Sequence, residues 1–139
     1  MKIRFPLIVF LIYIFVSHSA AGSSKIHLIE NGKSKYCIIV KSDASANEMV
    51  AANILQSYLF RIGAVRLPLY RDDNPLAKHP AFIISQFPSG YCFETTTMLG
   101  EDGYCISTSD NNIYITGGSG MGIIYGVTGF LEDYLGVRM

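Results

Sequence analysis

The chain has 139 residues, of which 50% are apolar and 16% are charged, and its formal net charge is zero. A near-neutral balance offers no basic face for nucleic acid, and an aromatic content of 12% argues against a disordered chain. The length suits one domain and is too short for a (β/α)8 barrel, which needs roughly 200 residues or more.

The N-terminus has the three parts of a secretory signal peptide. A short basic start precedes an apolar run of 12 residues at 5–16, and small residues then predict cleavage after Ala21 or, alternatively, after Ser19. A membrane anchor is the rival interpretation, but spanning a bilayer takes about 20 apolar residues. We therefore predict a signal peptide at 1–21, a secreted or periplasmic protein, and no membrane association after cleavage.

Three cysteines follow the predicted signal peptide, so at most one disulfide forms within the chain. Cys37 and Cys105 lie in apolar, strand-like runs, and we predict that both are mostly buried and reduced. Cys92 lies in a long loop and should be the most accessible thiol. The cysteine spacing fits no zinc site, and His27 and His79 are isolated, so no metal is expected.

The first half of the mature chain begins with a polar lead-in at 22–35. A β-branched apolar run at 36–40 then predicts a buried strand. Ser45 and Glu48 match a capping box, which predicts a helix at 45–62. Its apolar stripe comprises Ala51, Leu55, Leu59 and Ile62, widened by Val50 and Ile54.

Further strands are predicted beyond this helix. A short run at 66–70 contains a proline and is predicted to be an edge strand, and 81–84 is predicted to be buried. After a long loop at 86–100, two strands at 103–108 and 113–116 enclose a polar turn, which predicts a hairpin.

A second helix closes the chain. Glycines at 117–122 form a bend, which we call the glycine bend, and the helix is predicted at 120–135 with a stop at Gly136. Its stripe comprises Ile123, Val127, Phe130, Leu131 and Tyr134. The whole order predicts an α+β fold, an α/β sandwich in which two helices pack on one face of a mixed sheet of about five strands.

Few residues suggest chemistry. The glycine bend fails the dinucleotide spacing, because Ile123 or Tyr125 occupies the third glycine position, and no P-loop occurs. A weak anion contact at the helix N-terminus stays open. Glu101 and Asp102 are adjacent acids between glycines, which is typical of a turn rather than of an acid–base pair. The sequence therefore predicts no catalytic residue and no cofactor site.

Two stretches resemble a known family when their order and spacing are taken together. Residues 51–63 read AANILQSYLFRIG and precede Leu-Pro-Leu, and residues 123–138 read IIYGVTGFLEDYLGVR after the hairpin and the glycine bend. These stretches are similar to the N-terminal accessory domain of family 67 α-glucuronidases and related secreted bacterial glycosidases, and distantly to that of β-hexosaminidases. The resemblance covers about residues 36–138. Many relatives carry Arg or Lys where this chain has Met121, and they continue past the last residues into the barrel.

The resemblance implies a non-catalytic accessory domain at 36–139 of a secreted glycoside hydrolase, truncated before its catalytic barrel. The family's catalytic carboxylates lie in that barrel, so none is transferred to this chain. The expected partner is the barrel, with polysaccharide as a second partner. The residues expected to dock it are those of the chain end: Leu135, Val137, Arg138 and Met139.

Two alternatives stay open at this point. One is a free-standing module that binds carbohydrate or protein, for which the candidate rings are Tyr70, Tyr91, Phe93, Tyr104 and Tyr114. Core packing is nevertheless the expected role of most of these rings. The other is a small independent hydrolase, which no constellation of residues supports. Exposed rings on one sheet face would favour the binding module.

Overall fold

The structure is a computed structural model that describes residues 25–74, 78, 80–86 and 99–138. The predicted signal peptide lies outside the described residues. The elements in chain order are β1 (Cys37–Val40), α1 (Ala46–Gly63), β2 (Leu69–Arg71), β3 (Ala81–Gln86), β4 (Tyr104–Ser109), β5 (Asn112–Gly117) and α2 (Gly122–Leu135).

The strands form one mixed sheet in the order β2-β1-β3-β5-β4. Strands β2, β1, β3 and β5 are parallel, and β4 pairs antiparallel with β5 as the hairpin predicted. The turn of this hairpin places Asp110 and Asn111 at positive φ, a conformation that these two residue types tolerate. Strand β2 lies at the edge, where its preceding proline is tolerated.

Helix α1 begins where the capping box predicts. The Ser45 hydroxyl accepts the backbone N–H of Glu48 at 3.2 Å, and the Glu48 carboxylate accepts the backbone N–H of Ser45 at 2.7 Å. The helix ends at Gly63, and Ala64 caps it in the left-handed conformation with φ 53°. The start of α1 is therefore accounted for by local residue choice.

Both helices pack side by side on one face of the sheet, which confirms the predicted α+β arrangement. They run parallel, because each follows a strand of the parallel set, and the Asn47 side chain at the start of α1 donates to the Gly120 carbonyl just before α2. The largest fully buried side chains of the described residues are Phe82, Ile38, Ile39, Leu55, Leu59, Leu67, Ile84, Ile115, Ile123, Leu131, Val40 and Val127.

Three positions of the predicted stripes are wrong. Val50 and Ile62 of α1 are 46% and 53% exposed, and Tyr134 of α2 is 66% exposed. The buried side of α1 is formed by the other members of the predicted stripe, such as Ala51, Leu55 and Leu59, which recur every four residues along one side of the helix. The Tyr134 ring instead stacks on Phe130, with centroids 5.5 Å apart.

The opposite face of the sheet is also apolar. Cys37, Ile39, Ala81, Ile83 and Tyr114 form a second buried cluster there. Side chains alternate between the two faces along each strand, so these residues lie opposite the helices. Neither helix of the described residues is long and apolar enough to cross a membrane.

Candidate functional site

The glycine bend packs closely against the turn at 100–103, which we call the acidic turn. A Cβ on Gly118 would lie 1.9 Å from the Gly100 carbonyl oxygen, and one on Gly122 would lie 2.2 Å from that of Gly103. Backbone therefore touches backbone at these positions. The glycines are required for this contact, which brings the start of α2 onto the sheet.

Backbone donors at the end of the bend, where α2 starts, already have acceptors in the acidic turn. The N–H groups of Gly120 and Gly122 donate to the Glu101 carbonyl at 2.9 and 3.2 Å. The N–H of Met121 donates to the Asp102 carboxylate at 3.1 Å. A free anion would compete with these oxygens for the same donors. The structure therefore gives no support to the anion contact that the sequence left open.

The acidic pair is placed as a turn rather than as an acid–base pair. Glu101 and Asp102 are both exposed in a hydrogen-bonded turn, and the Asp102 carboxylate caps the entry into α2. The position of Asp102 fits the negative charge that a helix N-terminus favours. Asp102 therefore has a structural role, as the cap of α2.

A buried carboxylate joins α1 to the sheet. Glu48 is 5% exposed. Besides accepting from Ser45, its carboxylate accepts the backbone N–H of Gln86, at the end of β3, at 2.9 Å. The Gln86 side chain in turn donates to the carbonyls of Gly118 and Ser119 at 3.3 Å. The sequence identified Glu48 as a capping residue but did not reveal this link across the fold.

The candidate rings are divided among different environments. Tyr114 is 5% exposed and lies in the second buried cluster, so it packs in the core, the role expected for most of these rings. Tyr70 is partly exposed, and the Lys78 ammonium lies 4.8 Å from its ring centroid. Tyr91 and Phe93 lie outside the described residues.

Of the candidate rings that the structure describes, Tyr104 has the largest exposed fraction. A Cβ on Gly126 would lie 3.2 Å from Tyr104 Cβ, and one on Gly129 would lie 2.7 Å from its hydroxyl oxygen, so the ring spans one turn of α2. It is nevertheless 42% exposed. The two glycines inside a helical pattern are the signal of close approach that sequence reasoning missed.

The chain end is anchored to the domain. Gly136 caps α2 at φ 67° and donates to the Glu132 carbonyl at 3.1 Å. Leu135 and Val137 are half-buried against the core, whereas Arg138 is exposed. Met139 lies outside the described residues.

An apolar cleft of about 460 Å³ lies beside the last turn of α2. Tyr134 and Leu135 form one side, and Ile26 and Leu28 of the lead-in form another. Residues of the β4–β5 hairpin complete the lining. The cleft contains a candidate docking residue, Leu135, and an exposed ring, Tyr134.

Of the two cysteines that the structure describes, Cys37 matches the sequence prediction and Cys105 does not. Cys37 is a buried free thiol, and burial is the main cause that raises its pKa. Cys105 is half-buried and disulfide-bonded, so the expectation that it is reduced is wrong. A sequence does not reveal which cysteines its fold brings together. Cys92 lies outside the described residues.

Two carboxylates beyond β2 have lowered pKa values. A hydrogen bond from Lys78 is the main cause for Asp72. Hydrogen bonds from the Ser42 hydroxyl and backbone N–H have the same effect on Asp73. Within the described ranges, no group of three or more His, Cys, Asp and Glu side chains is arranged to hold a metal ion.

Comparisons with known proteins place the fold. Neither a family model nor a curated protein matches this chain. Among solved structures it is similar to a GH138 enzyme targeting pectin rhamnogalacturonan II, with 21% identity and a TM-score of 0.52. The match covers 73% of this chain and 14% of that enzyme's chain. The chain thus shares its fold with a small part of a glycoside hydrolase.

Proposed function

We propose that the chain is a non-catalytic accessory domain of a secreted, α-glucuronidase-like glycoside hydrolase that acts in carbohydrate degradation. The observation that carries this proposal is the fold likeness to 14% of the chain of a GH138 enzyme. The order of motifs at 51–63 and 123–138 and the signal-like segment at 1–21 support it.

The distribution of carboxylates supports a role without catalysis. General acid–base work needs a carboxyl group within hydrogen-bond reach of the substrate. Glu48 is buried and bound by two backbone N–H groups. Asp102 caps α2, and Glu101 is its exposed neighbour in a turn. The hydrogen bonds of Glu48 and Asp102 to the backbone therefore fit a structural role for both carboxylates.

The docking surface for the catalytic barrel is proposed at the chain end. Leu135 and Val137 pack against the core, which places this end of the chain at the surface of the domain beside α2. Arg138 is exposed and can pair with a carboxylate of the partner domain. The neighbouring cleft, with the exposed Tyr134 ring, offers an apolar site for a partner side chain.

The first test is activity. We expect the purified chain to show no turnover of aryl glucuronides, glucuronoxylan fragments or pectin fragments, with an intact α-glucuronidase as the positive control. Turnover that disappears in Glu101→Gln or Asp102→Asn would contradict the proposal.

The second test is docking. The chain is added to the barrel of a family 67 α-glucuronidase that lacks its own N-terminal domain, and binding is measured by calorimetry. We expect a complex that Arg138→Glu or Leu135→Asp weakens at least about tenfold. Lys33→Glu, an exposed charge reversal in the lead-in, should leave it unchanged. Equal affinity for all variants would exclude the chain end as the docking surface.

A sugar-binding module is the second candidate, favoured by the exposed Tyr104 ring. Aromatic rings combine an apolar face with a polar edge, which suits a sugar. Calorimetric titration with xylo-oligosaccharides or pectin fragments tests it. Binding that Tyr104→Ser abolishes and Tyr70→Ser preserves would favour this candidate, and an absence of binding would exclude it for those sugars.

A further inference from the structure

The outward surface of the two helices carries several exposed apolar side chains among polar ones such as Asn53 and Ser57. Val50 and Phe60 of α1 are 46% and 51% exposed, and Met121 and Tyr125 at the start of α2 are 42% and 44% exposed. The outward face of a surface helix usually carries charged and polar side chains. Tyr, Phe and Met are instead the residues enriched in protein interfaces.

Charge on this surface is sparse and of opposite sign on the two helices. Arg61 lies in the last turn of α1, with its guanidinium 5.2 Å from the Tyr58 ring centroid. Glu132 is exposed near the end of α2, which contains no basic residue. We call Val50, Phe60, Arg61, Met121, Tyr125 and Glu132 the outer helical face.

The two parallel helices start at nearly the same level along their axes. The hydrogen bond from Asn47 to the Gly120 carbonyl brings the two helix starts to the same level. At about 1.5 Å of rise per residue, Arg61 lies about 21 Å beyond Asn47, and Glu132 lies about 18 Å beyond Gly120. By the same measure Val50 and Tyr125 differ in level by about 3 Å. Side chains easily span such differences.

A two-fold axis that runs along the helices, in the plane of the outer helical face, uses this register. Rotation about it places α1 of one copy over α2 of the other with the helices still parallel. Val50 then faces the Tyr125 of the second copy, and Arg61 faces its Glu132. Each contact occurs twice, as in any isologous dimer.

We propose that two copies of the chain dock through the outer helical face, α1 against α2, in a closed two-fold dimer. Charge complementarity favours a second copy as the occupant, because a surface with Arg61 on one helix and Glu132 on the other complements itself. The chain end and its neighbouring cleft take no part in this contact. The proposal is therefore independent of the accessory-domain function.

Sedimentation equilibrium of the chain from residue 22 onward, without the predicted signal peptide, tests the dimer. We expect a concentration-dependent monomer–dimer equilibrium that weakens as salt rises from about 50 to about 500 mM, a change that shortens the Debye length severalfold. Tyr125→Ser should weaken the dimer at least about tenfold. Tyr70→Ser, at a ring of similar exposure on β2 outside the outer helical face, is the matched control and should leave the equilibrium unchanged.

A charge swap tests the pairing of the helices. Arg61→Glu and Glu132→Lys should each weaken the dimer, because each places like charges opposite one another. The double variant should restore it, since the two signs are merely exchanged. Glu30→Lys, at an exposed carboxylate in the lead-in, is the control for a charge reversal elsewhere. Far-UV circular dichroism checks that each variant is folded.

Dimers that Tyr125→Ser weakens and the double charge swap restores would support the proposal. A monomer at millimolar concentration, dimers insensitive to Tyr125→Ser, or single and double charge variants that dimerise equally would overturn it.

Discussion

Glu48 shows how much one side chain does in this fold. Its carboxylate accepts the backbone N–H of Ser45, which begins α1, and that of Gln86, which ends β3. A buried charged group is tolerated only when it is well hydrogen-bonded, and this one is. The residue fixes the start of α1 against the end of the central strand.

Glu48→Ala should lower the free energy of unfolding by about 2–4 kcal/mol, because two partly buried backbone N–H groups lose a charged acceptor. Glu48→Gln should cost less, because the amide oxygen still accepts one of them. Urea denaturation measures both. Glu30→Ala, which removes an exposed carboxylate, should change the stability by less than about 0.5 kcal/mol. Equal losses for Glu48→Ala and Glu30→Ala would refute this role.

Asp73 provides the pH prediction at the same scale. Its pKa is lowered mainly by hydrogen bonds from Ser42, so its contribution to stability is present above the ordinary carboxyl pKa and is lost as the pH falls through the folded value. Ser42→Ala should raise the pKa of Asp73 toward its ordinary range. It should also lower the stability at neutral pH but not at a pH below the folded pKa.

NMR titration of the side-chain carboxyl carbons measures this shift. The pKa of Asp72, which Lys78 lowers, should stay low in Ser42→Ala and so serves as an internal control. An unchanged pKa of Asp73 would show that Ser42 is not the cause.

At the scale of elements, the decisive contact is that of the glycine bend with the acidic turn. It fixes where α2 starts, because the carbonyl of Glu101 and the carboxylate of Asp102 take the N–H groups of the bend. Met121 is the N-cap residue and makes no side-chain cap hydrogen bond of its own. The cap is supplied across the fold by Asp102.

Gly118→Ala should destabilise the domain by about 1–3 kcal/mol or more, because the new Cβ would lie 1.9 Å from a carbonyl oxygen of the acidic turn. Gly100→Ala is the matched control, since a Cβ there meets nothing within 4 Å. Both changes restrict the unfolded chain equally. Thermal unfolding that is indistinguishable between the two would contradict the close packing.

At the scale of the whole molecule, the sheet face opposite the helices is buried as well. Five buried residues lie there, opposite the helices. Strands that read as continuous apolar runs, such as β1, have both faces buried. Cys105 belongs to the same face as Tyr114 by the alternation of the β4–β5 hairpin, and it is disulfide-bonded. A covalent bond therefore reinforces this side of the sheet.

Peptide mapping without reduction should find Cys105 in a disulfide and Cys37 as a free thiol. The chain contains one other cysteine, so we predict that the linked peptide carries Cys92. Reduction should then lower the stability by about 3 kcal/mol, as expected for a loop of about 14 residues. In the native protein, Cys37 should react slowly with thiol reagents because it is buried. A linked peptide containing Cys37 would contradict the assignment.

The sequence by itself determined what depends on neighbours along the chain. The capping box at Ser45, the hairpin turn at Asp110 and Asn111, and the periods of the two helices predicted the elements and the α+β class, because these are local effects of backbone and side-chain geometry. The mixed sheet with both helices on one face followed from their order.

Only the tertiary structure decided what depends on which distant surfaces meet. It turned Val50 outward, left Tyr134 exposed at a cleft, and placed Tyr114 in a second core. It also joined Glu48 to Gln86. Periodicity identifies an apolar face but not its partner, and a cysteine's spacing does not reveal its bond. Burial and pairing depend on contacts between residues far apart in the chain, which local patterns do not encode.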